Sequence, residues 1–305
     1  MKIPIIMYHY VRDFNLKKNK GYNGLDVTKF IRQLDYLQSK YEILDIKSLL
    51  DNNFLRKKNN KKFCLLTFDD GYIDHYENVF PILVERKITG SFYISGEIYE
   101  KKKLLNVNKI HYMFSKLSPV EIKKILNDIL LEHNLKKQFN LLKKKYKNTS
   151  RFDDDFTSLL KFFFQTFLPI SLQTKLLDLI LDKYLKINQN KLFDKFYLSK
   201  ENIQEMQKYG MYFGGHGHSH QRMAYLNKKE KLNEIEQTKR FLKKIKTDTN
   251  KWIMCYPYGS FNKSLIDMLK KNNCTIALTT IPKEAILNDK NLLRLPRLDT
   301  NDLII

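Results

Sequence analysis

Three short stretches hold most of the side chains in this sequence that could do chemistry. Thr67-Phe68-Asp69-Asp70-Gly71 sets two carboxylates side by side directly after an apolar run. Neighbours on extended backbone point to opposite sides, so one carboxylate can ligate a metal while the other meets substrate or water. The plainer use of such a pair is a helix N-cap, where Asp is favoured and Gly tolerates the turn. Gly214-Gly215-His216-Gly217-His218-Ser219-His220 gathers three of the seven histidines. Gly210, Gly214, Gly215 and Gly217 are four of the ten glycines, and glycine serves where backbone turns sharply or passes close to something. Imidazoles four residues apart on a helical turn can share a metal. Two imidazoles and one carboxylate leave positions open for water and substrate. Cys255-Tyr256-Pro257-Tyr258-Gly259 is a turn signal that also offers an aromatic wall and a backbone N–H for an oxyanion.

The elements that position these stretches are legible as alternating patterns. Short apolar runs at Ile3–Tyr8, Phe63–Phe68, Ser91–Ile94, Met211–Phe213, Trp252–Tyr256, Thr275–Thr279 and Leu292–Leu295 read as strands. Phe63-Cys64-Leu65-Leu66 is apolar at every position, as in a strand buried on both faces. Helical patterns lie between the runs. Thr28 marks the start of one; Asn227 with Glu230 and Asn262 mark others. This alternation predicts an α/β domain with a parallel sheet or barrel, whose sites gather after the carboxyl ends of the strands. From about 99 to 200 no strand is evident, and after the capping sequence Ser118-Pro119-Val120-Glu121 the pattern is helical almost throughout, which predicts a helical insertion.

The ordered set Thr67–Gly71, His216–His220 and Tyr256–Gly259 resembles the polysaccharide deacetylase family, carbohydrate esterase family four. The flanks are similar as well: Tyr76-Glu77-Asn78-Val79-Phe80-Pro81-Ile82-Leu83, Leu198-Ser199-Lys200 leading to Gly210, and the close Leu295-Pro296-Arg297-Leu298-Asp299. The resemblance implies a distorted (β/α) barrel formed by 1–98 and 198–305, with 99–197 as a helical insertion subdomain outside it. It implies hydrolysis of an N-acetyl, less often an O-acetyl, group on a sugar, with one divalent metal ion, usually Zn2+, held by Asp70, His216 and His220. Asp69 is then the general base, and the backbone N–H of Tyr258 helps hold the oxyanion, with Tyr256 in the pocket wall. Cys255 stands where many members carry an Arg that orients the base, and Arg297 is the candidate replacement. No His follows His220 to serve as general acid; His9, ending the apolar run Ile5–Tyr8, matches the arrangement of some bacterial members. His218, between the two ligands, lines the pocket or substitutes for one of them.

Composition bounds the rest. With 305 residues and 43% hydrophobic content, a sizeable core can form. Lys and Arg outnumber Asp and Glu by 55 to 33, a formal charge of +22 that favours anionic partners; the plainer reading is a genome-wide bias toward Lys and Asn at polar positions. Nucleic acid lacks any recognisable binding motif here. Three scattered cysteines indicate neither a disulfide framework nor a Cys-based zinc site. No apolar run has the length of a membrane span, and Ile3–Tyr8 is too short for a signal-peptide core. The expectation is a cytoplasmic enzyme, peripheral at the inner face of an anionic membrane. Its substrate is an acetylated saccharide of a cell-surface glycan or a nucleotide- or lipid-linked precursor sugar. The alternative is a catalytically silent saccharide-binding protein on the same fold. The insertion is expected to influence which saccharide enters, and basic stretches such as Arg56–Lys62 and Lys143–Lys147 to be solvated.

Overall fold

The computed structural model describes residues 1–16, 19, 21–51, 61–288 and 291–303; of the basic stretch Arg56–Lys62, residues 56–60 lie outside these. The chain divides into two compact units. One comprises Met1–Asn15, Asn23–Lys102 and Asp194–Ile305, the other Leu16–Tyr22 and Lys103–Phe193.

The first unit is built on a parallel sheet. Its strands are β1 (Ile5–Tyr8), β2 (Phe63–Asp69), β3 (Ser91–Ile94), β4 (Tyr212–Gly215), β5 (Trp252–Cys255), β6 (Cys274–Leu278) and β7 (Leu298–Asp299). They lie in the order β6-β5-β4-β3-β2-β1-β7, and Glu42–Ile43 pairs with the start of β2. β2 is buried at every position, as its unbroken apolar run requires of a strand covered on both faces. The sheet curls until one segment joins its two ends. Leu295 exchanges backbone bonds with β6, its N–H donating to Ala277 O at 2.9 Å and its O accepting from Thr279 N–H at 2.8 Å. Three residues on, Leu298 pairs with Ile6 of β1. The fold is a distorted (β/α) barrel, and registers such as Asp69↔Tyr93, Ile94↔Gly215 and Gly215↔Met254 bring the strand ends to one level.

Local differences from the sequence reading have physical causes. The first helix, Val27–Lys40, is capped by Asp26, whose side chain accepts from the Thr28 N–H, so Thr28 lies inside the first turn. Asn227 with Glu230 and Ser118 with Glu121 form capping boxes, and Asn262 caps Lys263–Lys271. Leu292–Leu295 is not a strand. Leu292–Arg294 makes a 3-10 turn, and pairing begins at Leu295. β4 runs on past Phe213 through Gly214 and Gly215, because glycine alone allows the neighbours to close in. A Cβ on Gly215 would lie 2.4 Å from Thr238 Cγ2 on the helix Lys228–Lys244.

The second unit is helical and has its own apolar core, including Ile125, Ile129, Leu160, Phe163, Leu176 and Ile180. Among the described residues no helix is long and apolar enough to cross a membrane.

Candidate active site and metal centre

Asp69 is the last residue of β2, and Arg297 lies just before β7, next to β1. The Arg297 guanidinium donates to both Asp69 oxygens, Nη1 to Oδ1 at 2.9 Å and Nη2 to Oδ2 at 2.7 Å. Both residues are buried, at 0% and 1% exposure. Arg297 Nε donates to Thr279 O at 2.9 Å, and Nη1 also reaches Thr67 Oγ1 at 3.1 Å. Such a fork leaves the carboxylate one orientation. Burial pushes the Asp69 carboxyl up, but the Arg297 guanidinium outweighs it and holds Asp69 well below the usual carboxylate range. Cys255, ending β5, sets its Sγ 3.0 Å from Arg297 Nη2 and 3.4 Å from Asp69 Oδ2. The guanidinium therefore reaches Asp69 from the β7 side, where Cys255 leaves room.

Asp70 follows with φ at 75°, a left-handed conformation that carries the next carboxylate off the strand line. Its Oδ2 accepts from Tyr72 OH at 2.5 Å. Oδ1 is buried, has no hydrogen-bond partner, and lies 3.4 Å from His216 Nε2 and 3.2 Å from His220 Nε2. The other nitrogen of His216, Nδ1, donates to Cys255 O at 2.8 Å, so the neutral ring would turn the lone pair of Nε2 toward Asp70. The residues fit a divalent metal. A tetrahedron with arms of about 2.0–2.1 Å has edges of roughly 3.3 Å, matching the two O···N separations, and two imidazoles with a carboxylate suit Zn2+ and its neighbours. A second buried group, Asp69, His216 and Cys255, also brings ligand atoms within 4.8 Å of one another. There both Asp69 oxygens are engaged by Arg297 and His216 Nδ1 by Cys255 O, so the Asp70 group is the better fit.

His220 also has positive φ, 54°, and its ring meets those of His216 and Tyr258 edge-on, each with centroids 4.8 Å apart. Tyr258 has φ 56°, followed by Gly259 at 63°. Asp70, His220 and Tyr258 thus all hold left-handed backbone beside the ligand cluster, a cost of order 1 kcal/mol or more each that the surrounding packing must offset. His9, directly after β1, sets Nε2 3.9 Å from Asp69 Oδ2, with its side chain 42% exposed.

Two of the sequence-selected residues are placed elsewhere. His218 turns its Nε2 toward Glu100 at 3.4 Å, while its backbone N–H donates to Glu234 Oε2 at 2.7 Å. Tyr256 is fully buried, its ring stacked on Phe261 and its hydroxyl donating to Leu293 O at 2.9 Å, so its polar end is spent inside the protein.

Other residues enter the site without a sequence signal. Glu234, buried on the helix Lys228–Lys244, accepts from the N–H groups of His218 and Ser219 and from Ser219 Oγ, fixing the loop between the two ligand histidines. His75 Nε2 donates to His9 O at 2.8 Å, and Arg12 Nε to Asp74 Oδ2 at 2.6 Å. Both tie the end of β1 to the turn after β2, which keeps His9 beside Asp69. Burial lowers the His75 imidazole to about 4, so the ring is neutral at working pH.

The sequence model of a family described as polysaccharide deacetylase matches residues 56–277. YxkH of Bacillus subtilis (strain 168), whose name places it among the polysaccharide deacetylases, is 30% identical over 115 residues, 37% of this chain; the match spans 38% of that relative. The structure of Streptococcus pyogenes deacetylase PplD in complex with acetate is 18% identical, with TM-score 0.58 over 99% of this chain and 96% of that one. The de-N-acetylase from Aggregatibacter actinomycetemcomitans is 16% identical, with TM-score 0.59 over 98% of this chain and 96% of that one.

Proposed function

We propose, from the premise that the chain belongs to the polysaccharide deacetylase family, that it is a metal-dependent hydrolase removing the acetyl group from the nitrogen of an amino sugar. The observation that carries this reading is the meeting of two buried clusters, Asp70 with His216 and His220, and Asp69 with Arg297. Asp70, His216 and His220 would hold the metal, which when bound would supply polarisation of the acetyl carbonyl and a water acidic enough to attack near neutral pH.

Asp69 accepts the proton of the attacking water. Arg297 keeps it ionised and aimed, which also makes it a weak base, so it depends on an acidified water. The negative charge that develops on the carbonyl oxygen is met by the backbone N–H of Tyr258. His9, the exposed partner of Asp69, donates a proton to the departing amine nitrogen. The substrate is an acetylated saccharide of a cell-surface glycan, or its nucleotide- or lipid-linked precursor, met at the cytoplasmic side of the membrane; the +22 charge supports an anionic partner of this kind.

Mass spectrometry of acetylated nucleotide sugars, lipid-linked glycans and N-acetylated oligosaccharides incubated with the Zn2+-loaded chain tests the reading. A mass loss of one acetyl group is expected from at least one class. Asp69→Asn should keep the metal and lose that activity, and His9→Ala should slow it by about 10²–10⁴-fold. Unchanged activity in Asp69→Asn would contradict the assignment.

A further inference from the structure

Arg222 stands two residues beyond His220, and its guanidinium carbon lies 4.4 Å over the ring of Tyr258. The Tyr258 ring in turn meets His220, so one aromatic ring separates this guanidinium from the proposed metal ligands. The Nε of Arg222 is buried without a hydrogen-bond partner. Among the described residues no carboxylate pairs with Arg222, whereas the two buried arginines do have one: Arg297 is held by Asp69 and Arg12 by Asp74. A guanidinium cannot shed its charge, and a buried N–H left unsatisfied costs free energy until an acceptor arrives. Contact with the Tyr258 ring holds the group with its Nε buried, while Arg222 as a whole stays partly exposed, so its terminal N–H groups remain open to forked recognition of an oxyanion.

We propose that Arg222 binds an anionic group, a phosphate or a carboxylate, carried by the sugar within a ring's breadth of its acetyl substituent. The protein thereby prefers acidic or phosphorylated acetylated saccharides to neutral ones. This rests on the deacetylase reading and names the substrate class for it. The chain's +22 charge draws the same substrates toward the surface.

Acetate release by the Zn2+-loaded, full-length chain is measured on four sugars: N-acetylglucosamine, its 1-phosphate, its 6-phosphate and N-acetylmuramic acid. The phosphates and the carboxylate separate the two sources of charge. At least one anionic sugar should exceed the neutral one in kcat/KM by ~10–100-fold, the range for hydrogen bonds to a charged group. Arg222→Gln should collapse that ratio, mainly through KM, and Arg222→Lys should restore part of it. If the wild type shows no such preference, or if Arg222→Gln leaves the ratio intact, the proposal is overturned; equal losses on every sugar would make Arg222 a prop for Tyr258. Should none of the sugars release acetate, the deacetylase reading fails on this panel, and calorimetric titration with inorganic phosphate decides the Arg222 site. Phosphate binding that Arg222→Gln abolishes supports it; phosphate binding unchanged by the substitution, or absent from the wild type, overturns it.

Discussion

Asp69 and Arg297 are 228 residues apart in sequence, yet their side chains form the most completely hydrogen-bonded pair at the site. The Asp was legible because it sits in a compact motif after a buried strand. Arg297 carried only the weak signal of a closing Leu-Pro-Arg-Leu-Asp, and which Asp it serves depends on how the sheet curls, which no local pattern encodes. His75 gave no signal at all, since a lone buried histidine looks the same whether it fills space or holds a backbone. Its bond to His9 O has a measurable consequence. The folded chain keeps His75 at about 4 against an ordinary 6.5, so between these values the unfolded chain binds more protons. The stability contribution is complete above pH 6.5 and is lost as pH falls toward 4. Between pH 7.5 and 5, this residue should account for roughly 2 kcal/mol of lost stability. Urea melts of His75→Gln, which retains a donor for the His9 carbonyl but cannot titrate, should show that much less pH dependence. A pH dependence identical to wild type would mean His75 is not held neutral.

At the scale of elements, the strands were readable where apolar runs were continuous, as in β2 and β3. They are not readable where pairing depends on a partner, as at Leu292–Arg294, an apolar run that makes a 3-10 turn. The glycines before His216 marked a close approach, but the sequence did not say to what. For Gly214 the neighbours are the Tyr93 ring and the Ile253 carbonyl; for Gly215 the neighbour is the helix Lys228–Lys244, which presses Thr238 against it and sets Glu234 under the His218–Ser219 loop. One helix therefore supports both the end of β4 and the loop between the ligand histidines. Gly215→Ala should push that helix away, costing about 1–3 kcal/mol by overpacking and weakening metal binding. Thr238→Ser removes the opposing methyl while keeping the hydroxyl that donates to Glu234 O at 2.7 Å. The double variant should recover much of the loss in both denaturant melts and metal titrations. No recovery would place the strain elsewhere.

At the scale of the whole molecule, the alternation of apolar runs and helical patterns already implied a parallel α/β domain interrupted by helices. Closure of the sheet through Leu295–Asp299 was beyond it, because a two-residue strand has no periodicity to detect. The two compact units have separate apolar cores, and every residue assigned to the chemistry, His9, Asp69, Asp70, His216, His220, Tyr258 and Arg297, belongs to the barrel unit. The assignment as a whole turns on whether the orphaned Oδ1 of Asp70 and the facing Nε2 atoms of His216 and His220 hold a metal. The most direct measurement is the divalent metal content per chain, by elemental mass spectrometry after gentle purification and Zn2+ loading, of the wild type and of His216→Ala. One ion per wild-type chain is expected, and its loss from a folded His216→Ala variant. Full occupancy in that variant, or a wild type that takes up no metal, would contradict the assignment.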